Sequence, residues 1–212
     1  MFIKSFTFNP FSTNCYVVES DQKCAIIDPG CQTAEEVSQL MEFIEEKNLI
    51  VEKLLLTHAH IDHIFGCRAI SRAYNLPFLL HDADLPLFQN GHRQAELFGF
   101  PLDLRGVEVV SIHEGDQIGI SDVVLNVLCT PGHSPGSVSF ADYRNKNVFS
   151  GDVLFRGSIG RTDLWEGSMP VLMDSIRQVL YPLGDDCTVY SGHGPVTTIG
   201  YESKSNPFLA DI

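Results

Sequence analysis

Apolar and polar residues alternate from Phe2 to Phe8, the period of a strand with one buried face. Cys15-Tyr16-Val17-Val18 and Cys24-Ala25-Ile26-Ile27 predict two further strands across a polar turn at Asp21-Gln22. Asp28-Pro29-Gly30 ends the third, because proline and glycine interrupt regular backbone. The period then changes. Thr33-Ala34-Glu35-Glu36 has capping-box spacing. Val37, Leu40, Met41 and Ile44 recur at i, i+3, i+4 and i+7, so a helix with one apolar face runs to about Lys47. A β-type run from Leu49 to Leu56 stops at Thr57. Residues 63–75 read as a helix and Phe78-Leu79-Leu80 as a strand.

From Asp82 to Arg105 the periodicity breaks down, which predicts a long, partly helical excursion. Short strands resume at 107–110, 117–120, 123–129, 137–140 and 147–150. Ser168 is placed to cap a second clear helix, with Leu172, Ile176, Val179 and Leu180 on one face. Cys187-Thr188-Val189-Tyr190 is a last strand, and residues 197–205 form a final helix. Strands in meandering groups, each followed by a helix, predict an α/β fold of two mixed sheets packed face to face with helices outside. The halves, roughly 1–106 and 107–212, have similar content. With no linker or low-complexity segment between them, 1–212 reads as one domain.

Composition supports a large core. Of 212 residues, 44% are hydrophobic and only 19% charged, against about 25% charged in an average soluble domain. Fourteen basic and 27 acidic residues give a net charge of −13. Such a surface repels phosphate, so neither nucleic acid nor an anionic membrane is expected as a partner. No apolar run approaches the roughly 20 residues that span a bilayer. The first ten residues alternate and then meet Pro10, unlike the continuous apolar stretch of a signal peptide, so the expected location is cytoplasmic. Six cysteines without a C-x-x-C pair fit reduced, mostly buried thiols.

Eight histidines are the count that carries chemistry. Thr57-His58-Ala59-His60-Ile61-Asp62-His63 places three imidazoles and a carboxylate just past a predicted strand. These are nitrogen and oxygen ligands suited to zinc, iron or manganese. In extended backbone His58 and His60 project to one side and can grip one metal, while Asp62 and His63, opening the next helix, can point toward a second. Thr130-Pro131-Gly132-His133, Ser150-Gly151-Asp152 and Ser191-Gly192-His193-Gly194 also follow predicted strands, at the sheet edge where α/β sites form. A chance origin is plausible for any one of these clusters and poor for all four together.

These segments, with Asp28-Pro29-Gly30 and Gly160-Arg161-Thr162-Asp163, resemble the metallo-β-lactamase superfamily, and within it the glyoxalase II-like thioester hydrolases. The resemblance implies an αββα sandwich and two divalent metals, zinc first, with iron or manganese as alternatives. It implies that His58, His60 and His133 bind one ion, that Asp62, His63 and His193 bind the other, and that Asp152 bridges them. Class B β-lactamases usually place a cysteine in the second-metal site, whereas Asp152 fits the aspartate-bridged hydrolases. The two-domain glyoxalase II enzymes bind glutathione through a C-terminal helical domain, and nothing like it follows the last motif here.

Two metals roughly 3.5–4 Å apart lower the pKa of a shared water toward about 7. The expected activity is therefore attack of a metal-bridging hydroxide on a small-molecule thioester of the S-lactoylglutathione kind, whose thiolate leaves without much protonation. Asp62 can take a proton from the water as well as bind metal. Asp28 is either a turn residue or the carboxylate that orients a ligand histidine through its far nitrogen. Arg161 and Asp163 read as an ion pair that shapes their loop. His81, His92 and His113 lie outside the motifs, with His92 the one in a position to line a binding site. Two other readings stay open. One is a mononuclear iron persulfide dioxygenase using only His58, His133 and Asp152. The other is a non-enzymatic metal-binding module. Oligomeric state is not legible.

Overall fold

The alternation at the start of the chain becomes β1 (Phe2–Phe8), antiparallel to β2 (Thr13–Ser20), which is antiparallel to β3 (Lys23–Ile27). The computed structural model describes residues 1–210. Asp21 and Gln22 both take positive φ in the tight turn between β2 and β3. The capping box forms: Thr33 Oγ1 accepts from Glu36 N at 3.2 Å, and Glu36 Oε2 accepts from Thr33 N at 3.1 Å. Helix α1 (Ala34–Glu46) follows, burying Leu40 and Ile44 and half-burying Val37 and Met41. After it, β4 (Ile50–Leu55) and β5 (Phe78–His81) add to the same sheet in parallel, and β6 (Val109–Ile112) completes it. The order is β1-β2-β3-β4-β5-β6.

Residues 63–75 do not make one helix. They divide into α2 (Ile61–Ile64) and α3 (Cys67–Tyr74). Gly66 causes the break. Its N–H donates to Pro29 O at 2.9 Å, and a Cβ there would strike Cys31 Sγ and the Pro29 carbonyl. The chain turns where it meets the loop after β3. The excursion is largely helical: a 3₁₀ turn at Asp82–Asp84, then α4 (Leu85–Gln89) and α5 (Gly91–Phe98). The strand expected at 107–110 lies at Val109–Ile112, because Phe78 pairs with Val109 and a turn at Gly106, with Val107 N donating to Leu104 O, occupies the preceding residues.

A second six-stranded sheet has the order β14-β13-β10-β9-β8-β7. Its strands are β7 (Gln117–Ile120), β8 (Val123–Cys129), β9 (Val138–Asp142), β10 (Asn147–Gly151), β13 (Thr188–Ser191) and β14 (Thr197–Thr198). The pair β10/β13 is parallel, and its other measured neighbours are antiparallel. A small hairpin, β11 (Leu154–Phe155) and β12 (Ser158–Ile159), has no sequence signal of its own. Helix α6 (Met169–Asp174) continues as a π-helical turn at Ser175–Leu180, and α7 (Ile199–Ser205) closes the described chain. Ser168 does not cap α6 through its side chain. Pro170 removes one of the two first-turn N–H groups that such a cap would satisfy, and Ser168 N donates to Gly132 O at 2.8 Å.

Contacts divide the chain into two units, Met1–Ile112 with Gly119–Val124, and His113–Ile118 with the chain from Leu125 onward. The first has a core of Phe6, Ile26, Leu40, Leu54, Ile70 and Phe78 among others. The second is built on Val148, Leu154, Leu172, Ile176, Leu180 and Val189. Each buried leucine or isoleucine contributes about 1.5–3 kcal/mol of transfer free energy. Among the described residues no helix is long and apolar enough to cross a membrane.

All six cysteines are free thiols, and only Cys129 is partly exposed. Burial disfavours the thiolate. It pushes Cys24 and Cys31 up to about 12 and Cys187 to about 11, and raises Cys15 and Cys67 well above the ordinary thiol value. At pH 8 the folded protein should therefore give about one equivalent of fast reaction with a thiol-exchange reagent, and six after denaturation. Rapid titration of three or more thiols in the folded protein would contradict this burial.

Candidate metal centre

Parallel pairing sets up the first group of residues. Because β3 and β4 run side by side with Ile27 opposite Leu55, the residues that leave their ends, Asp28 and Thr57, emerge together. Asp28 N donates to Leu55 O at 3.0 Å. Asp28 takes φ +51°, a left-handed conformation that aspartate tolerates better than most residues. Its carboxylate turns toward the motif and is 2% exposed. Oδ1 accepts from Thr57 N at 2.8 Å. Oδ2 accepts from Thr57 Oγ1 at 2.6 Å and lies 3.0 Å from His63 Nδ1. Thr57 Oγ1 also lies 3.0 Å from His58 Nδ1. Since that hydroxyl gives its proton to Asp28, it accepts from His58 Nδ1–H. Both imidazoles are thus held with Nδ1 protonated and the Nε2 lone pair directed away.

His58, His60 and His63 are buried, and so are their Nε2 atoms. Their rings form a compact group, with centroids 4.1 Å apart for His58/His63 and 4.8 Å for His58/His60. Asp62 joins them from the start of α2. Thr13 Oγ1, in β2, donates to Asp62 Oδ2 at 2.7 Å, and Asn9 Nδ2 donates to Asp62 O at 2.9 Å.

The second unit repeats the device. β10 and β13 are parallel, with Gly151 opposite Ser191 and Gly192 N donating to Gly151 O at 2.8 Å, so Asp152 and His193 leave adjacent strand ends. His133, in the loop after β8, donates from Nδ1 to the carbonyl oxygen of Arg161 at 2.7 Å, which again leaves Nε2 as the basic nitrogen. The Arg161 guanidinium binds Asp163 through two contacts of 2.7 and 2.8 Å and is exposed. This hydrogen bonding holds the Asp163 carboxyl down at about 2. The pair closes the loop, and the backbone oxygen of Arg161 reaches the histidine.

Three distances within these groups bear on metal binding. His63 Nε2 lies 3.4 Å from Asp62 Oδ2, His133 Nε2 lies 3.5 Å from Asp152 Oδ2, and His193 Nε2 lies 3.3 Å from the same oxygen. Two donors each about 2.1 Å from one ion, at the tetrahedral angle, are roughly 3.4 Å apart. The donor types and spacings therefore fit divalent metal ions.

Every residue singled out in the motifs falls in one of these two groups. His81, His92 and His113 do not. His81 ends β5 and accepts from Ala83 N, and His113 N donates to Asp116. His92 lies on α5 and lines a cavity of about 840 Å³ with Phe88, Leu104 and Arg105. Sequence reasoning missed Thr13, Asn9, Asp84 and Gln94. Asp84 Oδ2 accepts from Ala59 N at 2.8 Å, and Gln94 Nε2 donates to Ala59 O at 3.2 Å. No local pattern marks residues that act at such sequence distances.

The profile described as Metallo-beta-lactamase superfamily matches residues 8–193. Hydroxyacylglutathione hydrolase GloC of Haemophilus influenzae is 39% identical over 202 residues, covering 94% of this chain and 93% of its own. The probable metallo-hydrolase YqgX of Bacillus subtilis is 41% identical over 206 residues, with the same two shares. Among solved structures, BLEG-1 B3 metallo-beta-lactamase superposes with a TM-score of 0.88 at 36% identity, covering 99% of this chain and 100% of that one. TTHA1623 in a di-iron-bound form gives 0.88 at 38% identity, covering 97% and 100%.

Gly160 offers a direct test of the second group. A Cβ there would run into the Asp152 carbonyl and come within 3.3 Å of His133 Cβ. Gly160→Ala should destabilise the protein by about 1–3 kcal/mol, read from its urea midpoint, because two fixed elements must separate. An unchanged midpoint would mean that the approach is not tight.

Proposed function

This chain belongs to the metallo-β-lactamase superfamily, and on that premise we propose that it is a two-metal hydrolase of a small thioester of the S-lactoylglutathione kind. The observation that carries the reading is the set of Nε2–carboxylate separations of 3.3–3.5 Å, the edge length of a shared tetrahedral ion rather than of a hydrogen bond. On the family's pattern, His58, His60 and His133 hold one ion, Asp62, His63 and His193 the other, and Asp152 serves both. The reading takes 1–212 as one hydrolase domain. Zinc suits this nitrogen-rich set, and the di-iron form of TTHA1623 makes iron the first alternative.

Bound metals would supply a water of lowered pKa and a Lewis acid for the carbonyl oxygen. The chain's own residues do the rest. Asp28 and Thr57 keep His63 and His58 in the tautomer that offers Nε2, and the Arg161 carbonyl does so for His133. Asp62, steadied by Thr13, accepts the proton of the attacking water. The water oxygen bonds to the thioester carbon, the C–S bond breaks, and the sulfur leaves as a thiolate, which later takes up a proton. A thiol near pKa 8.5 leaves with little assistance, which suits a site whose motifs hold no separate acid. Thioester preference also draws support from the relative named hydroxyacylglutathione hydrolase.

The deciding experiment couples metal analysis to turnover on S-lactoylglutathione, thioesters of other thiols, and a β-lactam, the last because of the likeness to BLEG-1. Two ions per chain and thioester turnover are expected, with Asp62→Ala lowering turnover by about 10²-fold or more. One iron per chain with oxygen uptake on glutathione persulfide would replace this reading with the mononuclear dioxygenase. A loaded protein without turnover would leave a metal-binding module, and an unaffected Asp62→Ala variant would remove Asp62 from the chemistry.

A further inference from the structure

Ala59 lies between two of the proposed ligands, and both of its backbone polar groups are held by side chains from the 82–105 excursion. Its N–H belongs to the peptide that joins it to His58, and it donates to Asp84 Oδ2 at 2.8 Å. Its carbonyl belongs to the peptide that joins it to His60, and it accepts from Gln94 Nε2 at 3.2 Å. The two peptide planes that set the relative directions of His58 and His60 are therefore pinned from two different elements.

Both holders are themselves fixed. Asp84 is fully buried at the end of the 3₁₀ turn that follows β5, and β5 is the parallel neighbour of β4, so the two strand ends are adjacent. The second hydrogen of the Gln94 amide goes to Leu87 O at 2.9 Å, which fixes the orientation of the group. Asp84 thus reaches the Ala59 N–H from a fixed, buried position.

We propose that Asp84 and Gln94 are positioning residues for metal binding, a two-sided clamp that holds the His58-Ala59-His60 segment in its gripping geometry. The proposal rests on the reading of His58 and His60 as ligands. It gives the excursion a defined task and names two residues outside every motif.

The test measures zinc affinity by competition with a chelator, and hydrogen exchange of the Ala59 amide, in variants whose urea midpoints show them folded. Asp84→Leu and Gln94→Ala should each weaken zinc binding about 10- to 100-fold. Ala59 exchange should accelerate in Asp84→Leu. Asp84→Asn keeps an acceptor oxygen and should restore most of the affinity, which a loss of packing or charge alone would not allow. If Asp84→Leu fails to fold, Gln94→Ala and Asp84→Asn carry the same comparison. Zinc affinity within twofold of the parent in Gln94→Ala and Asp84→Leu, or unchanged Ala59 exchange in Asp84→Leu, overturns the clamp while leaving the ligand reading intact. A parent protein that takes up neither zinc nor iron overturns the ligand reading and the clamp with it.

Discussion

The carboxylate of Asp28 ties strand pairing to chemistry in the first unit. It receives a backbone N–H, a hydroxyl and an imidazole nitrogen within 3.0 Å while almost wholly buried. Burying an ionised carboxylate sacrifices several kcal/mol of hydration. Hydrogen bonds to a charged group return about 1.5–3 kcal/mol each. Three converging donors make the burial tolerable, and they converge only because β3 and β4 are parallel and in register, so that Asp28 and Thr57 leave the sheet side by side. Core, register and imidazole tautomer are thus one constraint seen at three scales. A slip of one residue between β3 and β4 would carry Asp28 to the wrong face and leave His63 without its acceptor.

Much of this was legible from residue order. Period-2 and period-3.6 patterns located β1, α1 and β8 within a residue or two, because each has one face against a core, and the unbroken apolar run Cys24-Ala25-Ile26-Ile27 located β3, which is buried on both faces. The H-x-H-x-D-H segment was legible as a candidate because its metal-ligating residue types are close in sequence and sit at a strand end. What was hidden falls into two kinds. Elements without a periodic face, such as the β11/β12 hairpin, leave no hydrophobic signature. The break between α2 and α3 was hidden because it depends on contact between Gly66 and the loop at Pro29–Cys31, a tertiary event that helix propensity does not encode.

The second kind concerns which atom does the work. Arg161 stands out by its guanidinium, yet the oxygen that holds His133 is its backbone carbonyl, a group every residue has. The side chain acts at one remove, through the exposed pair with Asp163 that shapes the loop. Asp84, Gln94, Thr13 and Asn9 reach their partners across 25 to 53 residues of sequence. Their residue types are common and their neighbours in the chain say nothing about the far end of the bond. Four of the proposed ligands, His58, His60, Asp62 and His63, need one short segment to aim them together, which leaves a motif. The residues that orient ligands have no such need, and they can come from any element that passes nearby.

The acceptors behind the histidines also differ in charge. On the proposed assignment, His63 is backed by an ionised carboxylate, His58 by a hydroxyl that relays to the same carboxylate, and His133 by a neutral carbonyl. A carboxylate behind an imidazole raises the basicity of the far nitrogen more than a carbonyl does, and adds negative charge one ring away from the ion. On that assignment the position of Asp62, His63 and His193 would have Asp62 as a donor and Asp28 behind His63, besides Asp152, whereas the position of His58, His60 and His133 would have imidazoles as its remaining donors. Greater negative charge holds a hard cation more strongly, while an imidazole-rich set suits zinc. The two positions are chemically unequal even though both offer nitrogen and oxygen. The inequality traces back to what stands behind each histidine: for His63 the aspartate that follows β3, for His133 the carbonyl of Arg161 in the loop after β12.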